Sequence, residues 1–296
     1  MKHSMYNYHR SGGLSIVAAL MFLCSCKEVI PDFPAPIVPQ AGDTTYIESP
    51  VATAEAKNVV IEEFTGVNCV NCPQGAQNIR AIEDAHPGRI VAIGMHSRFL
   101  SEPFSFSTQD LRTAEAEQLS QLFVDPGFKP AATIDRFVYD GSNPSLQYDR
   151  LSWAGYVNQR LAIAAPANVA IRNSFNTGTR ELTATIEVHF TQAITGKTRL
   201  TVVLTEDSIN TAQLDAGNVI DTIYYHRHVQ RQFLTPYDGL DLGTDAEPGR
   251  VYRRNFKVTI PVAPVTWEPE HLYVAAYVHR ADGSREVLQG KISSIR

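Results

Sequence analysis

Cys69 and Cys72 sit two residues apart with Pro73 directly behind them. The apolar run Val59-Val60-Ile61 precedes them, and a helix-like stretch, Gln74 to Ala85, follows. Two thiols at a strand-to-helix turn suit reversible disulfide chemistry. Unpaired N–H groups and the macrodipole at a helix N-terminus favour a thiolate there. A thiol one turn along can close the disulfide. The same spacing also serves metal sites and passive disulfides, so the surrounding sequence has to decide. Glu62 and Glu63 lie just before the thiols. By themselves they read as ordinary exposed acids of a strand.

Few other residues offer chemistry. His226 and His228 alternate on a presumed strand, and with an acid or a third histidine they could hold zinc. Hydrogen-bonded sheet surface is the commoner fate of such residues, so no metal site and no cofactor is expected. There is no phosphate-binding glycine loop, nucleophile elbow or zinc-protease motif. The net charge is −5, from 26 Lys and Arg against 31 Asp and Glu. With no basic stripe, nucleic acid is not an expected partner.

The N-terminus bears on the compartment. Lys2 and Arg10 precede an apolar run from Leu14 to Leu23 that is too short to span a bilayer as a mature helix. Leu23-Cys24-Ser25-Cys26 resembles a bacterial lipobox, which makes residues 1–25 a lipoprotein signal peptide and Cys26 the lipidated residue. An ordinary secretory signal is the alternative. The chain has four cysteines. Cys24 would leave with the signal and Cys26 would carry lipid, so Cys69 and Cys72 would be the thiols left in an oxidising envelope.

Residues 26–57 read as a linker that Pro31, Pro34, Pro36, Pro39 and Pro50 keep extended. Residues 58–165 alternate in type. Strands are expected at Val59 to Thr65, Arg89 to His96 and Ala131 to Tyr139. Helices are expected at Pro73 to Ala85, Gln109 to Leu122 with Thr108 as cap, and Tyr148 to Leu161. This order predicts an α/β sheet. Residues 166–296 are rich in Val, Ile, Thr and Tyr, with turn signals at Gly178, Gly196 and Asp282-Gly283. They predict an all-β sandwich, immunoglobulin-like or jelly-roll-like, with its own core.

The stretch Glu63 to Cys72 resembles the active-site segment of thioredoxins. That resemblance implies a thioredoxin-like domain, with Cys69 attacking, Cys72 resolving, Glu63 moving the proton and Pro130 as a cis-proline beside the dithiol. The chain departs from the pattern in having Asn68 where thioredoxins have Trp and Val70-Asn71 between the thiols. Several features together resemble the Omp twenty-eight-related outer-membrane lipoproteins of Bacteroidota. They are the lipobox, the Pro-rich linker, the Phe64-Thr65-Gly66 and Cys69 to Pro73 block, the Pro130 to Arg136 segment and the Tyr225 to Arg231 stretch. That resemblance implies an outer-membrane lipoprotein, on the periplasmic side or the cell surface, held by its lipid alone and meeting envelope or extracellular proteins.

Three function classes follow from these residues. One is an envelope thiol–disulfide oxidoreductase. Another is a surface binding or adhesion module in which the C-x-x-C pair is a structural disulfide. The third is a structural lipoprotein of a larger outer-membrane assembly.

Overall fold

The computed structural model describes residues 42–97, 99–141 and 144–296. All of them belong to a single compact unit, Ala35–Arg296. The signal peptide and Cys26 lie outside the described residues.

The element types follow from local chemistry. Val59–Thr65 (β2) and Ile90–His96 (β3) are apolar runs buried along their whole length. They pair in parallel from Val59 opposite Ile90 to Thr65 opposite His96, as strands covered on both faces do. Between them runs the helix Cys72–Ala85 (α1), with Pro73 in its first turn, where a missing N–H costs nothing. Ile79 and Ile82 are its buried apolar residues. The second helix is shorter than the apolar pattern suggested. It spans Ala114–Leu122 (α2) and is capped by Thr113, whose side chain accepts from the Ala116 N–H, rather than by Thr108. An isolated bridge from His96 to Arg112 holds the preceding residues extended. The third strand is Ala131–Ile134 (β4). It stops because Asp135 and Arg136 adopt φ values of 51° and 49°. Tyr148–Asp149 (β5) pairs with β4, and the third helix, Trp153–Leu161 (α3), follows.

The remaining chain is strand. Long strands are Ala167–Asn176 (β6), Glu181–Phe190 (β7) and Ile194–Glu206 (β8). Short ones follow at Ile209–Asn210 (β9), Gln213–Asp215 (β10), Val219–Asp221 (β11) and Tyr225–His226 (β12). The chain then continues through Val229–Phe233 (β13), Leu240–Ala246 (β14), Arg250–Thr259 (β15), Leu272–Arg280 (β16) and Val287–Ser294 (β17). Thr44–Ile47 (β1), inside the stretch expected to be linker, pairs with β15 and joins the sheet order β1-β15-β7-β6.

An α/β thioredoxin-like domain followed by a separate β-sandwich is not what forms. The chain is mostly β, with three α-helices among the described residues. A single nine-stranded sheet has the order β17-β16-β8-β13-β3-β2-β4-β5, with β14 also on β8. It therefore carries strands from both halves of the sequence. The joint is the outer edge of β3. Its Gly94 N–H donates to the His228 carbonyl at 2.7 Å, and Gly94 is in register with Val229 of β13. The cores mix in the same way. Val60, Phe64 and Ile93 pack in one cluster with Val203, Ala275, Tyr277 and Val287. A strand edge left open would template foreign pairing; here the C-terminal half closes it. A second cluster lies between β6, β7 and β15 on one side and β8 and β16 on the other.

Candidate functional site

The dithiol is closed. Cys69 and Cys72 form a disulfide with an S–S distance of 2.01 Å. Cys72 is the first residue of α1, and Cys69 lies in the turn before it. That turn is tied by the Cys69 N–H to the Gly66 carbonyl and the Cys72 N–H to the Cys69 carbonyl, both at 3.1 Å. Gly66 is required there. A side chain on it would run into the Leu100 carbonyl and Ser101 Oγ.

Glu63 and Pro130 meet at the same spot on α1, the helix that Cys72 begins. A Cβ on Gly75 would lie 2.8 Å from Glu63 Oε1 and 2.8 Å from Pro130 Cγ. The Lys129–Pro130 peptide is cis. Glu63 is 5 % exposed, and its Oε1 has no hydrogen-bond partner among the described residues. Burial disfavours the carboxylate, and Lys129 offsets only part of that, so the acid is pushed up to about 8. Burial thus favours the protonated acid at neutral pH. Glu63 borders a cavity of ≈ 240 Å³, also lined by Ala76, Arg80, Tyr224, Tyr225 and Arg227, through which a proton can reach it.

Lys129 is the buried cation of the site. Its ammonium donates to the carbonyls of Thr65 at 2.9 Å and Ser97 at 3.0 Å, to that of Phe99, and to Ser101 Oγ at 3.2 Å. Burial lowers it to about 8. Lys129 thus ties the C-terminal ends of β2 and β3 to the residues that flank the cysteine turn.

The disulfide is covered. Cys69 is 1 % and Cys72 2 % exposed. The Gln213 side-chain amide donates to the carbonyls of Gly66 at 3.3 Å and Cys69 at 3.1 Å. The Leu214 N–H donates to the Val67 carbonyl at 2.8 Å. The chain between β8 and β13 is thereby pinned to the cysteine turn.

Residues 117–295 match the family described as outer membrane protein Omp28. The chain belongs to the Omp28 family. The matched stretch takes in Pro130, His226 and His228, and leaves out Glu63, Cys69 and Cys72. Among solved structures, HBP35 of Porphyromonas gingivalis is similar in fold, with a TM-score of 0.62 at 22% identity over 82% of this chain and 77% of that one. A protein from Agrobacterium tumefaciens reaches a TM-score of 0.49 at 15% identity, over 82% of this chain and 97% of its own. A domain of the outer membrane lipoprotein Omp28 from Porphyromonas gingivalis reaches 0.29 at 18% identity, over 45% of this chain and 89% of that domain. These two scores carry no structural argument. No functionally curated protein matches the chain. Among the described residues of this Omp28-family protein, no helix is long and apolar enough to cross a membrane.

The Omp28-family chain does not use His226 and His228 together. His226 ends β12 and is buried against His96. His228 adopts a φ of 56°, and its ring lies 3.2 Å from Glu83 and 3.4 Å from Asp207. The positive φ breaks the alternation that would have put both rings on one face. Sequence reasoning missed Lys129, Gln213, His96 and Tyr224. Lys129 had one local signal, its place directly before Pro130. Gln213 and Tyr224 come from a segment far along the chain and carried none.

Proposed function

We propose that this Omp28-family protein is a lipid-anchored envelope thiol–disulfide oxidoreductase, with Cys69 and Cys72 as its redox pair. The observation that carries this reading is the buried Glu63 carboxyl, whose Oε1 has no hydrogen-bond partner among the described residues and meets Gly75 on the helix that Cys72 begins. A passive disulfide has no use for a buried acid against the same helix, and such an acid is costly to bury. For exchange it is useful. A client thiolate attacks Cys69 Sγ, the Cys69–Cys72 bond breaks, and Cys72 leaves as a thiolate that takes the Glu63 proton. The client's second thiolate then attacks the mixed disulfide. That step closes the client disulfide and releases Cys69. The client loses two electrons and the Cys69–Cys72 pair gains them; the reverse sequence oxidises this protein. Pro130 and the cysteine turn would face the client, Cys26 would hold the lipid, and the clients would be envelope proteins.

The near-complete burial of both cysteines favours a second reading, a surface binding module with a structural disulfide. A reduction-potential titration, combined with Cys72→Ala trapping in cells, separates the two. Exchange predicts a potential above about −300 mV and mixed disulfides through Cys69. A lower potential with no trapped client supports the binding module.

A further inference from the structure

The hairpin that holds the Cys69 carbonyl leaves apolar surface in water. Every residue from 216 to 223 is exposed. Val219 is 62 %, Ile220 39 %, Ile223 66 % and, just beyond, Tyr225 59 % exposed. Exposed apolar residues scattered singly are ordinary, whereas a cluster this dense marks a place where another molecule binds. A second segment tied to the cysteine turn repeats the pattern. The Asn68 N–H donates to the Leu100 carbonyl at 2.8 Å, and Phe99 and Leu100 are exposed as well.

The backbone of β11 is equally unfinished. β10 and β11 form a two-stranded sheet, with Gln213 opposite Asp221 and Asp215 opposite Val219. On its other edge β11 has no strand among the described residues. A free edge of this kind is a template for one more strand. A strand added there would run ~10 Å from β10, two strand spacings away. β10 carries Gln213 and Leu214, whose bonds to the Cys69 and Val67 carbonyls set the hairpin against the cysteine turn.

Charge selects the occupant. Residues 213–225 contain Asp215 and Asp221 and no Lys, Arg or His. A second copy of the hairpin would bring like charges together, and an anionic lipid surface would be repelled. An extended segment with apolar and basic side chains satisfies the open edge, the apolar surface and the two carboxylates together. Folded chains bury most of their large apolar side chains. Such a segment is therefore offered by a polypeptide that has not finished folding.

We propose that the free edge of β11, with Val219, Ile220, Ile223 and Tyr225, docks extended apolar and basic segments of incompletely folded polypeptides. The inference rests on the exchange reading above and names its clients: unfolded envelope proteins, held by the hairpin beside the cysteine turn.

The test uses the full chain with Cys69–Cys72 closed and a fluorescent synthetic peptide of Leu and Lys that contains no cysteine. Anisotropy reads binding. Val219→Ser combined with Ile223→Ser should weaken it roughly tenfold or more. A peptide with Ser in place of Leu should bind neither form. Asp215→Asn combined with Asp221→Asn keeps the acceptors for the Ala216 and Ile223 N–H groups. This pair should weaken binding several-fold at low salt and little at high salt. Should the serine pair fail to fold by near-ultraviolet circular dichroism, the asparagine pair and the Leu-free peptide decide. Equal peptide binding by the parent and the serine pair would overturn the proposal. Hairpin-dependent binding to phosphatidylglycerol vesicles, or hairpin-dependent self-association, in place of peptide binding would also overturn it. A reduced version of the peptide with two cysteines separates docking from exchange. Hairpin-dependent binding that leaves the Cys69–Cys72 bond intact sinks the exchange reading and supports the docking surface.

Discussion

Glu63 couples the site to pH in a direction that can be measured. Its folded pKa, about 8, lies above its ordinary value of 4.5, so the folded state holds the proton more tightly. Below about 4.5 both states are protonated. Between about 4.5 and about 8 only the unfolded chain ionises, and stability falls as pH rises, by up to ~1.4 kcal/mol per unit. Above about 8 the effect is complete. Glu63→Gln should flatten that decline, so the variant gains on the parent as pH is raised from 5 to 8. Urea unfolding midpoints across this range check it. If the two profiles run parallel, Glu63 is not the buried neutral acid described here. The Cys69–Cys72 pair and the approach of Glu63 and Pro130 to one point on α1 involve residues that the sequence marks, because each lies within a few residues of a recognisable turn. What Glu62 does could not be read there, because its partners Arg136 and Tyr277 lie far along the chain. The structure gives Glu62 to Arg136, with bonds of 2.8 and 2.6 Å, and leaves Glu63 for the site.

Helix α1 begins at Cys72 and the β10–β11 hairpin holds the Cys69 carbonyl through Gln213, and each has a residue that tests this hold. On an open helix face, Gly75→Ala would stabilise by up to ~1 kcal/mol. Here the new methyl meets Glu63 Oε1 and Pro130, so a net loss of ~1–3 kcal/mol is expected, read from denaturant midpoints. Gln213→Ala removes the amide that ties the hairpin to the Gly66 and Cys69 carbonyls. Reduction of the disulfide by dithiothreitol should then quicken several-fold, with the folded state retained by circular dichroism. An unchanged rate would mean that another part of the cover limits access. Helix α1 and strands β2 and β3 were legible because apolar period and proline position agree there. The start of α2 was not: Thr108 and Thr113 are both good caps, and the β-bridge from Arg112 to His96 decides between them.

At the scale of the molecule, the change in composition near residue 166 looked like a domain boundary, yet buried polar links cross it from Tyr277 to Glu62 and from Glu286 to Arg160. Glu62 and Arg136 are buried together, and the Tyr277 hydroxyl donates to Glu62 Oε1 at 2.7 Å. Asp135 meets Lys57 at 2.8 Å and Arg160 at 3.0 Å, while Arg160 reaches Glu286 at 2.6 Å. Sequence periodicity reports which face of an element is apolar, not which distant strand covers it, so these links could not be read in advance. They imply that the first half depends on the second. Arg136→Ala would leave the Glu62 carboxylate buried without its cation and should cost ~3–5 kcal/mol, measured by urea unfolding. A fragment of residues 57–166 would lose Tyr277, Glu286, Val203 and Val287 at once and would expose the β3 edge that β13 occupies. It should show no cooperative thermal transition and little β signal by circular dichroism, while the chain from residue 42 to 296 unfolds in a single step. A fragment that melts cooperatively would mean that β2, β3, β4 and the three helices close a core of their own, and that the nine-stranded sheet is assembled from a unit already folded.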